Sequence, residues 1–564
     1  MLHLIPAVKT LKELGGRFEA TAIFYQANGL DSRLATALTA LPYDKDGAPL
    51  QITMGAAGEG YELTLQDGIE INAEGPAGAF YAIQTLRQIF THKEIPNLYI
   101  KDAPDFPYRC FYLDVTRGKI PTTETLKKLI DDMAYYKLNA LQLYVEHVYE
   151  FEEYKDVIEK TGHLTAAQLK ELDDYCADRF ISFEPSLSTF GHLFELLNQE
   201  KYAHLRVNKG ELAKNAWHHR MAHHTIDPLN PESIEIIKSL IDQYEPNFKT
   251  DIFNICCDET FDLKHYDNDN PEVDAGRLYI DFVKKIIAHL KGKGKRVMMW
   301  ADILLEHPEV IEELPEDTIF LSWQYGAVPN EEKIIKFANL GRTQIVCPGT
   351  TTWSRLCENP SIARRNIAKM AEYGKKHGAI GVLNTNWGDY ANPCSLELAM
   401  YGMIWGAEKS WSVNTPEDDA FNTAINHLCY QNENFVELLY ELNFLHGYIN
   451  WNRFTLAYHE KVTGQPITTR PVETANIPLM QDAYKALKKK LDVQPESPYI
   501  TELRVAAEGL CVLAELSAKF VAYKLPRITN TKEWLTKYSK LWLEKNQPNE
   551  LYRIEEMFNY CEKN

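Results

Sequence analysis

Two adjacent carboxylates, Asp258 and Glu259, follow a short apolar run at residues 252–255. An apolar run of this length between polar residues is typical of a buried strand in a parallel sheet. In a β/α barrel the carboxyl end of each strand opens onto the face where catalytic groups lie, because the loops leave the core there. An isolated Asp-Glu pair more often caps a helix or faces solvent. The chemistry of this pair therefore depends on the elements around it.

Strand patterns alternate with helical patterns on both sides of the pair. The predicted strands lie at residues 110–115, 140–145, 180–185, 252–255, 296–300, 318–323, 344–347 and 379–384. Helical patterns such as 123–136, 165–179, 276–290, 361–374 and 395–405 separate or close them. Eight such units over about 300 residues match the size of a TIM barrel. We therefore predict an α/β fold with a (β/α)8 barrel at residues 106–415.

The chain before the barrel has a different pattern. Alternating strands at 61–65 and 68–72 are separated by a turn sequence, which predicts a hairpin. A helix is predicted at 77–90, with its apolar residues on one stripe. The proline-rich segment 102–107 is a plausible joint. Residues 1–105 are therefore predicted to form a small α+β domain.

The chain after the barrel has no strand patterns. Helices are predicted at 432–446, 478–491 and 499–523. We expect residues 416–564 to form a helical region. The sequence leaves open whether this region caps the barrel or provides the surface of a homodimer.

Composition limits the classes of function. The 564 residues carry a net charge of −19, which argues against a nucleic-acid or anionic-membrane surface. No apolar run is long enough to span a membrane. The ten cysteines show no CxxC spacing, so we expect reduced, buried thiols and a cytoplasmic location. No signal peptide is visible at the start of the sequence, although a removed leader is not excluded.

Polar and aromatic residues recur where the predicted strands end. They are Arg109, just before the first strand, and Asp114, Glu146, His147, His192, Trp300, Asp302, Trp323, Tyr325, Trp353, Trp387 and Asp389. Aromatic rings can cover the C–H faces of a sugar, and carboxylates can bind its hydroxyls. Together with Asp258 and Glu259, these groups predict an aromatic-walled carbohydrate pocket.

Several motifs resemble one known family. Residues 253–259, Phe-Asn-Ile-Cys-Cys-Asp-Glu, resemble the F-H-I-G-G-D-E signature of glycoside hydrolase family 20, the β-N-acetylhexosaminidases. Residues 108–117 are similar to its R-G-x-x-L-D-x-x-R segment. Residues 142–147, 188–192 and 386–389 resemble a divergent bacterial branch of the family.

The sequence departs from the family signature at three positions. Cys256 and Cys257 stand where the family usually has Gly-Gly, and Asn254 stands where most members have His. The cysteine side chains must fit where backbone is closely packed in the family. The Asp-Glu pair itself is intact.

The resemblance implies a retaining, exo-acting enzyme that uses substrate-assisted hydrolysis. Glu259 would be the general acid and then the base for water. Asp258 would hold the acetamido N–H of the sugar and stabilise the developing positive charge. No protein nucleophile is then required, because the acetamido oxygen of the substrate attacks the anomeric carbon and forms an oxazolinium ion.

The resemblance also implies roles for the remaining pocket residues. Trp300, Trp323 and Trp387 would wall the acetamido methyl group, with Trp353 a further candidate, and Tyr325 would hydrogen-bond the acetamido oxygen. Arg109 and Asp389 would bind sugar hydroxyls and close the pocket. Glu146 and His192 would line or support it, although a structural role for His192 is equally open.

The histidine-rich segment 217–224 contains Trp217, His218, His219, His223 and His224. Metal sites normally need carboxylate or cysteine support in a fixed geometry, which this segment does not offer. We therefore expect neither a metal nor another cofactor. The expected partner is an oligosaccharide or glycoconjugate.

Three interpretations remain open at the level of the sequence. The first is release of terminal β-linked GlcNAc or GalNAc. The second is a related exo-glycosidase that releases a disaccharide or a modified GlcNAc. The third is a catalytically silent sugar-binding protein, which the cysteine substitutions leave open and the intact carboxylate pair opposes.

Overall fold

The computed structural model describes residues 2–26, 29–210, 223–264, 266, 274–417, 419–464 and 470–564. A small N-terminal sheet domain leads into a closed barrel, which is followed by a helical region. The fold class predicted from the sequence is therefore confirmed. No described helix is both long enough and apolar enough to cross a membrane.

The N-terminal domain is a six-stranded sheet with the order β1-β6-β4-β5-β3-β2. Its elements are β1 (Thr10–Phe18), β2 (Ile23–Phe24), α1 (Ser32–Leu38), β3 (Ala48–Met54), β4 (Tyr61–Leu65), β5 (Ile69–Ala73), α2 (Pro76–Ile89) and β6 (Ile95–Asp102). The predicted hairpin is present as the antiparallel pair β4–β5. Helix α2 begins at Pro76, where a missing N–H costs nothing, and buries its apolar stripe against the sheet.

Eight parallel strands close the barrel, and all eight predicted strands are present. They are β7 (Tyr108–Asp114), β8 (Ala140–Val145), β9 (Ser182–Leu187), β10 (Ile252–Asn254), β11 (Arg296–Trp300), β12 (Ile319–Trp323), β13 (Gln344–Cys347) and β14 (Gly381–Asn386). Strand β9 begins two residues later than predicted. Phe180 adopts a positive φ of 57° just before it, in the turn that follows the preceding helix.

The barrel strands are connected by helices that pack outside them. These are α3 (Thr123–Tyr135), α4 (Lys155–Thr161), α5 (Ala166–Ala177), α6 (Phe194–Leu197), α7 (Pro231–Tyr244), α8 (Ala275–Gly292), α9 (Asp302–Glu306), α10 (Glu331–Asn339), α11 (Pro360–Lys376) and α12 (Met400–Trp411). Many begin at a polar N-cap residue. Thr122, Asn230 and Asp274, for example, accept hydrogen bonds from the first turns of α3, α7 and α8.

The C-terminal region is helical, as predicted. Its helices are α13 (Ala420–Ile425), α14 (Phe435–Leu445), α15 (Trp451–Thr463), α16 (Asn476–Asp492), α17 (Pro498–Phe520), α18 (Thr531–Lys545) and α19 (Leu551–Lys563). Helix α17 buries residues on all its faces, so it forms the centre of this region. The ten cysteines of the chain are all free thiols.

Arg109 joins the N-terminal domain to the barrel. Its side chain is fully buried at the amino end of β7, and the guanidinium pairs with both carboxylate oxygens of Glu59 at 2.8 and 2.9 Å. It also donates to the backbone oxygens of Phe106 and Lys137. A buried guanidinium is tolerated only when its charge and donors are satisfied in this way.

We predict that Glu59→Gln lowers the free energy of unfolding by about 2 kcal/mol, because a buried guanidinium loses its counter-charge but keeps a polar partner. Chemical denaturation measures this change. The matched control is Glu62→Gln, which removes an exposed pair between Glu62 and Lys101 of similar length, 2.9 Å. The free energy of unfolding of this control should differ little from that of the wild type. Equal losses in both variants would contradict the structural role assigned to Arg109.

Candidate active site

A small cavity opens at the carboxyl ends of the barrel strands. Its volume is about 220 Å³. Its lining residues are Arg117, Asp258, Glu259, Trp300, Trp323, Tyr325, Trp353, Trp387 and Asp389. All but Arg117 were predicted as site residues. The cavity is smaller than the roughly 300–1,000 Å³ typical of sites for drug-sized ligands, so its size suits a single sugar ring.

The turn that carries the two carboxylates has an unusual backbone. Cys256, Cys257 and Glu259 have positive φ angles of 57°, 63° and 50°. This conformation costs non-glycine residues about 1–2 kcal/mol each, which accounts for glycines at the first two positions in the family signature. Hydrogen bonds hold the turn from both sides. The Cys256 N–H donates to Asn254 Oδ1, and the Glu259 N–H donates to Asp302 Oδ2, both at 3.0 Å.

The two cysteines fill space beneath the turn and do not line the cavity. Cys256 Sγ lies 3.4 Å from Ser186 Oγ, and Cys257 Sγ lies 3.3 Å from Thr189 Oγ1. Burial raises the pKa of the Cys256 thiol to about 12 and that of Cys257 well above its usual value. Both thiols are therefore neutral packing groups, and neither is a candidate nucleophile.

His192 contacts both members of the carboxylate pair. Its Nε2 lies 3.2 Å from Asp258 Oδ2 and 3.5 Å from Glu259 Oε2. Burial by itself lowers the pKa of His192, but the charge of Asp258 and the hydrogen bonds to Asp258 and Glu259 together outweigh it and raise that pKa to about 10. Nε2 is therefore protonated, and its N–H donates a hydrogen bond to Asp258. The backbone N–H of His192 donates to His224 Nδ1 at 2.7 Å, which fixes the loop.

The same three groups are the candidate metal ligands among the described residues. One ligand atom from each of His192, Asp258 and Glu259 lies within 4.8 Å of the others. To bind His192 Nε2, a metal ion would have to replace the proton through which this nitrogen hydrogen-bonds Asp258. Within the histidine-rich segment, Trp217, His218 and His219 lie outside the described residues.

Arg117 carries a second positive charge in this site, beside the protonated His192. Its Nη1 lies 3.0 Å from Asp389 Oδ1, and its Nε lies 3.3 Å from Glu146 Oε1. Its Nη1 is also 3.8 Å from Asp114 Oδ2. Glu146 is buried and accepts a hydrogen bond from Tyr144, so it supports Arg117 from behind and does not face the cavity.

The structure does not bring Arg109 to this cavity. Arg109 lies at the opposite end of β7, where it pairs with Glu59, so the sugar-binding role predicted for it does not fit its position. Arg117 occupies that place instead. The direction of the strand could have predicted this. Arg109 lies at the amino end of the strand at 108–114, whereas Arg117 follows its carboxyl end, which faces the catalytic side of the barrel.

Aromatic rings form a continuous wall on the other side of the cavity. Trp323 and Tyr325 stack with centroids 5.1 Å apart, and Tyr325 lies 5.3 Å from Trp353. Trp300 and Trp387 are 6.0 Å apart. The Trp387 indole N–H donates to the Tyr325 hydroxyl at 2.7 Å, which fixes that hydroxyl beside the cavity. Such a wall matches the apolar face of a sugar or an acetyl group.

The two carboxylate oxygens of Asp258 differ in their hydrogen bonding. Oδ2 bonds His192, but Oδ1 is buried and has no hydrogen-bond partner among the described residues. A buried acceptor without a partner is costly, so a ligand N–H or O–H placed there would be held strongly. The Glu259 side chain is more exposed, 30% against 12% for Asp258.

These features define a small aromatic-walled pocket with paired carboxylates at the carboxyl ends of the strands of a TIM barrel. The family model described as "Glycosyl hydrolase family 20, catalytic domain" matches residues 106–377. The model described as "Glycosyl hydrolase family 20, domain 2" matches residues 1–103. The chain belongs to glycosyl hydrolase family 20.

Individual proteins show the same likeness. The chain is 27% identical to a β-hexosaminidase of Porphyromonas gingivalis over 334 residues, which are 52% of this chain and 40% of that protein. It therefore spans about half or less of the length of the first curated relatives that it matches. The fold matches a Flavobacterium johnsoniae chitobiase with a TM-score of 0.63 at 16% identity, over 99% of both chains. It also matches an exo-β-N-acetylglucosaminidase of Vibrio harveyi in complex with N-acetylglucosamine, with a TM-score of 0.59 at 19% identity, over 75% of this chain and 76% of that chain.

Asp302 is a third carboxyl group behind the pair, and the sequence did not assign it a role. Its Oδ2 accepts the Glu259 N–H, and its Oδ1 is buried. Burial, and then the charge of Asp258, raise the pKa of Asp302 to about 7. Asp302 therefore holds the strained turn while remaining largely protonated below neutral pH.

We predict that Asp302→Asn removes a pH dependence of stability. Because the folded-state pKa of about 7 exceeds the ordinary value of 3.8, the unfolded chain loses this proton first as pH rises. As the pH rises through this range the free energy of unfolding of the wild type therefore falls, and that of the variant relative to the wild type rises by about 4 kcal/mol between acid and neutral pH. Denaturant unfolding at a series of pH values measures the gain.

The matched control for this prediction is Asp317→Asn. A hydrogen bond from Lys291 lowers the pKa of Asp317, so its stabilising contribution is lost as pH falls. The difference between this variant and wild type should therefore change with pH in the opposite sense. A pH-independent difference for Asp302→Asn would contradict the charge state assigned to Asp302.

Proposed function

We propose that this protein is a retaining exo-β-N-acetylhexosaminidase that releases terminal β-linked GlcNAc or GalNAc. The observation that carries the proposal is the Asp258–Glu259 pair on the lining of a cavity of about 220 Å³, with Asp258 Oδ1 lacking a hydrogen-bond partner among the described residues. A 2-acetamido sugar offers the N–H that this oxygen lacks. The P. gingivalis relative is named β-hexosaminidase, which supports the same substrate class.

The mechanism uses the acetamido group of the substrate as the nucleophile. Its carbonyl oxygen attacks the anomeric carbon and forms a cyclic oxazolinium ion, while Glu259 protonates the departing glycosidic oxygen. Asp258 accepts the acetamido N–H and stabilises the positive charge that develops on the ring. Glu259 then takes a proton from water, which attacks the anomeric carbon from the side that the leaving group vacated. Each of the two attacks inverts the configuration at the anomeric carbon, so the product retains the configuration of the substrate.

The aromatic wall and His192 prepare this step. Trp300, Trp323 and Trp387 would enclose the acetamido methyl group, and the Tyr325 hydroxyl would donate to the acetamido oxygen. His192 holds Asp258 in place by donating to its Oδ2. Preorganised partners of this kind favour the transition state because they need not reorient as charge develops.

Arg117 and Asp389 would bind the sugar hydroxyls at the non-reducing end. Their ion pair lies on the cavity lining, where a longer chain would have to pass. The proposal of exo action and of a monosaccharide product rests on this closure and on the small cavity.

We predict that wild-type protein hydrolyses p-nitrophenyl β-GlcNAc or β-GalNAc and is blocked by a thiazoline mimic of the oxazolinium ion. On a natural glycoside with a poor leaving group, Glu259→Gln should lower kcat about 10³-fold, because it removes the general acid. Asp258→Asn should also lose activity, since a neutral amide cannot stabilise the positive charge that develops on the ring. Release of p-nitrophenol and of free sugar measures these effects.

The control variant is Glu309→Gln, which changes an exposed carboxylate, 66% accessible, in the connection between β11 and β12. It should keep wild-type activity. Robust cleavage of the natural glycoside by Glu259→Gln would exclude Glu259 as the acid. A wild type that cleaves neither p-nitrophenyl glycoside but does cleave a disaccharide or modified GlcNAc glycoside would support the second interpretation. Sugar binding without cleavage of any of these glycosides would support the third.

A further inference from the structure

The C-terminal helices contact the loop that carries Arg117. Asn549 Nδ2 donates to the backbone oxygen of Gly118 at 2.6 Å, and the Gln547 N–H donates to the oxygen of Ile120 at 2.8 Å. These contacts come from the segment between α18 and α19, far from the loop in sequence. The residues that follow Arg117 in its loop are therefore held by a different part of the chain.

The same helical region contacts the loop that carries Asp389. The Trp451 indole N–H donates to the Tyr390 backbone oxygen at 3.1 Å, and the Tyr538 hydroxyl donates to the Pro393 oxygen at 3.1 Å. Both acceptors lie within five residues of Asp389.

This second loop has a backbone that needs support from outside. Asp389, Ala391 and Asn392 have positive φ angles of 46°, 69° and 43°. Such residues keep this conformation only where surrounding structure imposes it. The donors from the helical region provide that constraint.

The two loops meet each other directly beneath the Arg117–Asp389 ion pair. Gly118 has a φ of 123°, and a Cβ atom there would lie 2.6 Å from the backbone of Ala391. Lys119 Nζ donates to the Cys394 backbone oxygen at 2.6 Å. A small displacement of either loop would therefore change the 3.0 Å contact between Arg117 and Asp389.

We propose that the C-terminal helical region is a positioning element of the active site, which holds the Arg117 and Asp389 loops together so that their side chains can bind the terminal sugar. The proposal rests on the proposed function for the nature of the ligand. Trp451 and Asn549 are its positioning residues, because each donates to a backbone oxygen next to one of the two loop side chains. Sites built on loops need such support to reach productive geometry.

The first test compares Trp451→Phe with Trp534→Phe. Both tryptophans are buried in the helical region and donate to a backbone oxygen, but Trp534 donates to Val505 inside that region, at 2.9 Å. Both variants should lower the melting temperature. Only Trp451→Phe should raise KM for p-nitrophenyl β-GlcNAc, by about tenfold, while kcat changes much less. The reason is that the lost contacts to the sugar hydroxyls stabilise the bound substrate and the transition state equally.

The second test uses a loop position, where substitution does not remove a core side chain. Asn549→Ala removes the donor to Gly118, and Asn546→Ala removes a donor to Trp542 from the same segment. Asn549→Ala should raise KM and weaken binding of N-acetylglucosamine in calorimetry, and Asn546→Ala should change neither. This pair keeps the comparison available if the tryptophan variants do not fold.

Wild-type KM and sugar affinity in both Trp451→Phe and Asn549→Ala would overturn the proposal and leave the helical region a folding element only. Failure of the proposed function gives a different result, since the wild type would then cleave neither glycoside. In that case the affinity for N-acetylglucosamine across the four variants decides the positioning role. Absence of any such affinity in the wild type would overturn both proposals.

Discussion

The carboxyl end of the barrel depends on the guanidinium of Arg117. It contacts Asp389 and Glu146 and lies close to Asp114, so together with the protonated His192 it balances a group of carboxylates that burial would otherwise make costly. Its Nη2 also lies 3.3 Å from His192 Nδ1, and His192 in turn contacts the Asp-Glu pair. The charges of the pocket are therefore connected, and the position of Arg117 determines the geometry of the rest.

The functional loops store conformational strain that other parts of the chain offset. Positive φ angles occur at Glu259 in the catalytic turn and at Asp389 in the last barrel loop. Asp302 supports the first through a backbone hydrogen bond, and the C-terminal helices support the second through Trp451. At the catalytic turn, Cys256 and Cys257 adopt positive φ angles where the family signature has glycine, and Asn254 accepts the Cys256 N–H.

The sequence was sufficient to predict the barrel, because each strand is a short apolar run and the helices between them are amphipathic. The aromatic wall could also be predicted, since its residues follow the strands directly. Arg109 was wrongly predicted to line the pocket because that prediction did not take into account that it lies at the amino end of its strand. The contact between Asn549 and Gly118 could not be predicted, because it joins residues 431 positions apart that no local pattern relates.

The central claim is that Arg117 and Asp389 bind the terminal sugar while Asp258 receives its acetamido group. A crystal structure with the thiazoline mimic bound tests this most directly. The account predicts the thiazoline nitrogen within hydrogen-bond distance of Asp258, its methyl group against the tryptophan wall, and the sugar hydroxyls on Arg117 and Asp389. A bound mimic with its hydroxyls directed away from Arg117, or an empty pocket at saturating concentration, would contradict it.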